Sequence, residues 1–233
     1  MDRFPDDWER AVAVVPHPDD LEYGAASAIA CWTMAGKRVD YVMVTSGEAG
    51  IDNLAPELAG PMREDEERRS ARRVGVEHVE FLGHPDGMVE ATLALRRDLA
   101  NAFRRLRPEA VITMNFELTW GAKATVNHAD HRATGLAVLD AVRDAANRWL
   151  FPEVGEAWAG IRHLQVFGTS SPTHFVDVAA GVDAGVASLR EHQAYLAGLG
   201  GDFDPAEFIN GVTRAGGTMA GCEHAVVFQR FSA

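Results

Sequence analysis

The chain has 233 residues, 47% of them hydrophobic and 24% charged, with 22 basic against 34 acidic residues for a formal charge of -12. This composition can bury a sizeable core and excludes a disordered chain. The acidic balance disfavours nucleic acid and anionic membranes as partners and suits a neutral or cationic small molecule. No Pro/Gly/Ser-rich linker, charge block or internal repeat divides the chain, so residues 1–233 read as a single domain.

The N-terminus, MDRFPDDWER, is acidic, and the apolar run from Ala11 to Pro16 is too short for a signal peptide or a membrane span, which points to the cytoplasm. Strand signals recur at 11–15 (AVAVV), 39–44 (VDYVMV), 78–82 (HVEFL) and 109–113 (EAVIT). Longer helical patterns lie between them: Asp20 to Ala35, stopped by Gly36; Met62 to Val74, stopped by Gly75; and 90–106, with Leu95, Leu99, Ala102, Phe103 and Leu106 spaced for burial. Glu64/Arg68 and Asp65/Arg69 stand at i,i+4 and read as a solvated face. Cys31, one of only two cysteines with Cys222, reads as a small core hydrophobe, and so few thiols fit a reducing compartment.

A fourth helix follows His131 to about Arg148. Beyond it, 163–167, 174–178 and 224–228 read as strands, 182–197 and Pro205 to Val212 as helices, and Gly198 to Asp204 as a loop. Strands alternating with helices predict an α/β fold with a mostly parallel sheet.

In such folds ligands collect at the carboxyl ends of strands. Two clusters fall there. His17-Pro18-Asp19-Asp20 follows the first strand, and His128-Ala129-Asp130-His131 ends the long loop after the fourth. The first turn, PHPDDLEYGAA, lacks the GxGxxG of a dinucleotide site, which disfavours nicotinamide or flavin. The chain turns between His17 and Asp20, with Pro18 stiffening the turn, so both can reach one point. His128 and His131, three apart at a helix start, can lean into the same cleft. Asp130 can accept a ring N–H and fix a tautomer. Two imidazoles and a carboxylate, with an acid and an imidazole to spare, are the inventory of a hydrolytic zinc site, although iron or cobalt would also accept these ligands. Each cluster alone would also serve as a polar helix entry.

The paired motifs are similar to those of the LmbE-like, PIG-L-type family of N-acetylglucosaminyl deacetylases. The likeness spans roughly residues 10–195 and includes HPDDLEYGAA, TSGEAG at 45–50, Arg63, Asp86-Gly87, His128-Ala129-Asp130-His131 and His192-Gln193. The resemblance implies a Rossmann-like three-layer α/β/α fold. It implies that His17, Asp20 and His131 ligate zinc and that Asp19 is the general base. It further implies that His128, oriented by Asp130, stabilises the oxyanion or protonates the leaving amine, and that Arg63 and Asp86 hold substrate hydroxyls. His192 is open between a pocket residue and an exposed helical histidine. Pro16 and Ala129 depart from the family motifs at positions that supply no ligand. Val126 stands where some members carry a carbonyl-polarising Tyr, so oxyanion stabilisation would rest on zinc and His128.

Other candidates carry plainer readings. His84-Pro85-Asp86 lacks a second Asp and reads as a turn. His78, His163, His174 and His224 lie near strand signals without ligand types beside them. Trp120 and Gly121 would form a wall or lid over a ring-shaped substrate, whereas Trp8, Trp32, Trp149 and Trp158 suit the core or a subunit contact, which leaves a homo-oligomer open. The expected activity is zinc-dependent removal of an N-acetyl or N-acyl group from an amino sugar or glycosylated small molecule. The rivals are an amidase of a larger acyl or thiol-conjugate amide, and a non-catalytic sugar-binding protein of the same fold.

Overall fold

A computed structural model describes residues 1–120, 125–200 and 202–232. In chain order the elements are β1 (Asp2–Arg3), β2 (Arg10–Val15), α1 (Asp20–Gly24), α2 (Ala26–Met34), β3 (Arg38–Met43), α3 (Pro56–Arg73), β4 (Val79–Phe81), α4 (Leu93–Leu106) and β5 (Ala110–Met114). A small hairpin, β6 (Thr119–Trp120) and β7 (Thr125–Val126), precedes α5 (Ala129–Ala146). The remainder is β8 (His163–Phe167), β9 (His174–Asp177), α6 (Val182–Leu189), α7 (Gln193–Leu199), α8 (Pro205–Ala220) and β10 (Ala225–Ser232).

Eight strands form one sheet in the order β1-β9-β10-β8-β5-β2-β3-β4. All neighbours are parallel except β10, which runs antiparallel to both β8 and β9. Alternating residues of β2 feed two cores. Ala11, Ala13 and Val15 pack with α1, α2, α6 and α8 on one face, while Val12 and Val14 pack with α4 and α5 on the other. The sheet is therefore the middle of three layers, and its central strands are apolar on both faces, as a parallel sheet covered by helices requires.

The chain leaves β2 toward β3 and β4, then returns to the other side of β2 as β5. The resulting switch point opens a crevice beyond the carboxyl ends of β2 and β5. His17 follows β2 directly, and the segment after β5 leads to His128.

Four helices differ from the sequence reading. The span 20–35 breaks at Ala25, which has φ -123°, just after Gly24 comes so close to the end of β8 that a Cβ there would strike the Phe167 ring. The helix expected from Met62 starts at Pro56 and runs through Pro61, where both Pro61 and Glu57 are exposed, so the Glu57 carbonyl that loses its helical partner can be met by water. The span 182–197 is interrupted around Arg190–His192, with His192 becoming the N-cap of α7. The last helix continues to Ala220, since Gly216 and Gly217 let it lie against the backbone of residues 222–225. Among the tryptophans, Trp8 and Trp32 are buried and Trp158 packs on the core, but Trp149 is 80% exposed. Cys31 is partly buried against the first core. Among the described residues no helix is long and apolar enough to cross a membrane.

Candidate metal centre and active site

Three side chains, from the turn after β2, the start of α1 and the start of α5, converge at the crevice. His17 Nδ1 lies 3.2 Å from Asp20 Oδ2, and His131 Nε2 lies 3.3 Å from Asp20 Oδ1. The ligand atoms of this trio all fall within 4.8 Å of one another. A cation bonded at ~2.0–2.2 Å to N and O donors would have neighbouring ligand atoms a little over 3 Å apart, so the donor set and its spacing fit a divalent metal of the zinc type.

The geometry also fixes which nitrogen each imidazole offers. His17 Nε2 faces Asp86 Oδ1 at 3.1 Å and Asp130 Oδ2 at 3.3 Å, so the neutral ring would keep its proton there and Nδ1 is the nitrogen it can offer a cation. His131 donates from Nδ1 to Asn127 Oδ1 at 2.9 Å, which leaves Nε2 for the centre. Asn127 is itself held by its amide, which donates to the carbonyls of Asn115 and Glu117. Its role was missed in the sequence; the only available signal is an amide residue four positions before His131.

Charge reinforces the assembly. Burial alone would raise Asp20, but His131 and then His17 outweigh it and hold the carboxyl far below its ordinary range. In return His17, whose burial would lower it, is raised well above an ordinary imidazole, chiefly by Asp20. Metal entry must therefore displace a proton, which makes binding pH-dependent.

Asp19 lies beside this trio with 4% of its surface exposed. Burial pushes its pKa up to about 6, against the opposing pull of Arg63. Its backbone is left-handed, with φ 100°. Arg63 donates to Asp19 Oδ2 at 3.0 Å and to the carbonyls of Pro18 and Gly47. The Tyr195 ring stacks on the Arg63 guanidinium at 4.5 Å, and burial followed by the Asp19 charge drives its phenol upward.

The remaining expected residues fall in two groups. His128 is exposed at the mouth, its ring stacked on His131 at 4.8 Å, and burial followed by the neighbouring imidazoles lowers its pKa, so it is neutral near pH 7. Trp120 stands edge-on to His128 and His131 at 6.4 and 6.2 Å and is 44% exposed, a wall at the cleft entrance, while Gly121 lies outside the described residues.

The other group requires correction. Asp130 does not orient His128: its carboxylate accepts the amides of Gly87 (2.7 Å) and Val89 (3.1 Å) and faces His17. Two helical residues turn the side chain about 200° away, whereas three bring His131 back beside His128. Arg63 and Asp86, expected on substrate hydroxyls, are turned inward, because Asp19 and His17 supply opposite charges in a buried setting. His192 is neither a cleft residue nor exposed: it is wholly buried, with Nε2 3.6 Å from both Glu22 Oε2 and Glu67 Oε2. Among the other histidines, His84 meets Asp98, His163 meets Asp7 and His224 bonds Thr213, each away from the centre.

A family model described as PIG-L, GlcNAc-PI de-N-acetylase, matches residues 12–142. The chain is 27% identical over 201 residues to a diacetylchitobiose deacetylase of Thermococcus kodakarensis, covering 81% of this chain and 70% of that one. It is 29% identical over 195 residues to a 1D-myo-inositol 2-acetamido-2-deoxy-alpha-D-glucopyranoside deacetylase of Saccharopolyspora erythraea, covering 72% and 68%. The solved N,N'-diacetylchitobiose deacetylase from Pyrococcus horikoshii shares the fold, with a TM-score of 0.85 at 22% identity, over 97% of this chain and 84% of that one.

Proposed function

Because the chain belongs to the GlcNAc-PI de-N-acetylase family, we propose that it is a zinc-dependent hydrolase that removes the N-acetyl group of a small N-acetylamino sugar or glycoconjugate. The observation that carries this reading is the convergence of His17, Asp20 and His131 on one point beside the buried carboxylate of Asp19. A binding module would need the sugar wall but not the carboxylate.

When bound, a divalent cation at the trio supplies Lewis acidity toward an amide carbonyl and acidifies a water. The chain's own groups do the rest. Asp20, kept ionised by its two imidazole neighbours, holds negative charge at the centre. Asp19, with its proton affinity raised toward neutrality by burial, takes the proton of the attacking water and is suited to pass it on to the leaving nitrogen. Neutral His128 presents an N–H to the oxygen that gains charge at the tetrahedral stage, and no phenol from position 126 is needed for that contact. The edge of Trp120 borders the place where a sugar ring would lie. The acetyl carbon thus gains oxygen from water, the C–N bond breaks, and the products are acetate and a free amine.

The test is acetate release from N-acetylglucosamine, N,N'-diacetylchitobiose and an N-acetylglucosaminyl-inositol by protein reconstituted with one equivalent of zinc. Release that is abolished by a chelator and restored by zinc is the expected result. Absence of acetate from every substrate, with longer N-acyl analogues cleaved instead, would move the assignment to an amidase.

A further inference from the structure

We propose that Glu67, backed by His192, is a positioning residue that holds the main chain of Asp19 in the conformation its role as base requires; this rests on the reading of Asp19 given above. Among the described residues Asp19 is one of three non-glycine residues with positive φ, at 100°, a region that costs a residue with a Cβ. Its backbone N–H is buried outside the first turn of α1, and the acceptor it finds is Glu67 Oε2 at 3.2 Å. One turn earlier on α3, Arg63 donates to the carbonyl of Pro18 and to the Asp19 carboxylate. The Pro18-Asp19 peptide is thus gripped by its donor and by its acceptor from a single helix face, by residues four apart.

What keeps Glu67 there is a sealed cluster below the cleft. The side chains of Glu22, Glu67 and His192 are all 0% exposed, and His192 Nε2 is equidistant at 3.6 Å from one oxygen of each carboxylate. Glu22 is anchored by the hydroxyls of Ser70 (2.5 Å) and Ser188 (3.2 Å). The imidazole therefore stands between the anchored carboxylate of Glu22 and that of Glu67, and limits where Glu67 Oε2 can lie, the same oxygen that receives the Asp19 N–H. The break between α6 and α7 at 190–192 brings His192 to this point. Neither Glu67 nor His192 reaches the crevice, so their effect on the reaction must pass through Asp19.

The experiment compares Glu67→Ala, Glu67→Gln and His192→Asn with wild type for metal content, kcat, KM and the crystallographic φ of residue 19. Glu67→Ala is expected to keep one equivalent of zinc and a KM within about twofold, while kcat falls about 10- to 100-fold, the range of outer-sphere partners. Glu67→Gln, which retains an oxygen acceptor, should recover kcat to within about fivefold of wild type and keep φ positive. Glu67→Ala should lose the positive φ, and His192→Asn should lower kcat with zinc retained. Wild-type kcat in either Glu67→Ala or His192→Asn, or a Gln variant no better than Ala, would overturn the proposal. So would a second metal equivalent in wild type that His192→Asn removes, because the trio would then be a cation site. If wild type releases no acetate from any substrate, the deacetylase reading fails by itself and the φ comparison alone decides the positioning role.

Discussion

Asp19 combines a strained backbone with a carboxylate removed from water, and both properties follow from its place between His17-Pro18 and the first turn of α1. Replacing it by Ala leaves the three ligands intact. The variant is expected to bind zinc normally and to lose about 10²- to 10⁴-fold in kcat, the worth of a general base, by steady-state assay beside metal analysis. His17→Ala is expected to lose the metal itself. The pH dependence has a definite sign. A base must be ionised, and burial sets Asp19 near 6, so kcat/KM should rise with pH below that value and level off above it. A bound cation favours the ionised form, placing the acid limb of the holoenzyme profile at or below about 6. Asn127→Ala should weaken zinc binding about 10- to 100-fold in a competition titration, because His131 loses the partner that fixes its tautomer. The ligand types were legible in the motifs. Asn127 and the inward turn of Arg63, Asp86 and His192 were not, because each depends on what a distant element places opposite it.

At the scale of elements, strands were legible where β-branched runs are buried on both faces, as in β2, β3 and β5, whose apolar spans match the sheet within a residue or two. Helix ends were less so, since glycine and proline have two meanings. Gly216 lies beyond the helix end expected at Val212, yet it is required there by close approach: a Cβ would sit 2.2 Å from the Ala225 carbonyl. Gly211, five residues earlier on α8, has open space around it. The two sites make a matched test. Gly211→Ala should stabilise by about 1 kcal/mol through helix propensity. Gly216→Ala should instead destabilise by about 1–3 kcal/mol, because overpacking against rigid backbone outweighs the same propensity gain. Urea midpoints at unchanged m value read both effects.

For the whole molecule, the metal ligands join β2 and α1 to α5, so a cation binds the folded chain and not the unfolded one. At free zinc about 100-fold above Kd the linkage amounts to about 2.7 kcal/mol, and chelation should lower Tm by roughly 5–10 °C in calorimetry. The sheet is also guarded at its margins, since the outer strands β1 and β4 span only Asp2–Arg3 and Val79–Phe81, too short to recruit another chain. The parallel half of the sheet follows from alternating strand and helix patterns. The antiparallel insertion of β10 does not, because an apolar run does not declare its direction or its neighbours.

That insertion has a consequence for how the protein is made. β8 and β9 are not neighbours in the sheet, and the strand that bridges them emerges from the ribosome only after α6, α7 and α8. Until then a growing chain carries two unsealed seams, and the interval of translation between residues 177 and 225 is when chaperone capture, or its failure, would govern yield.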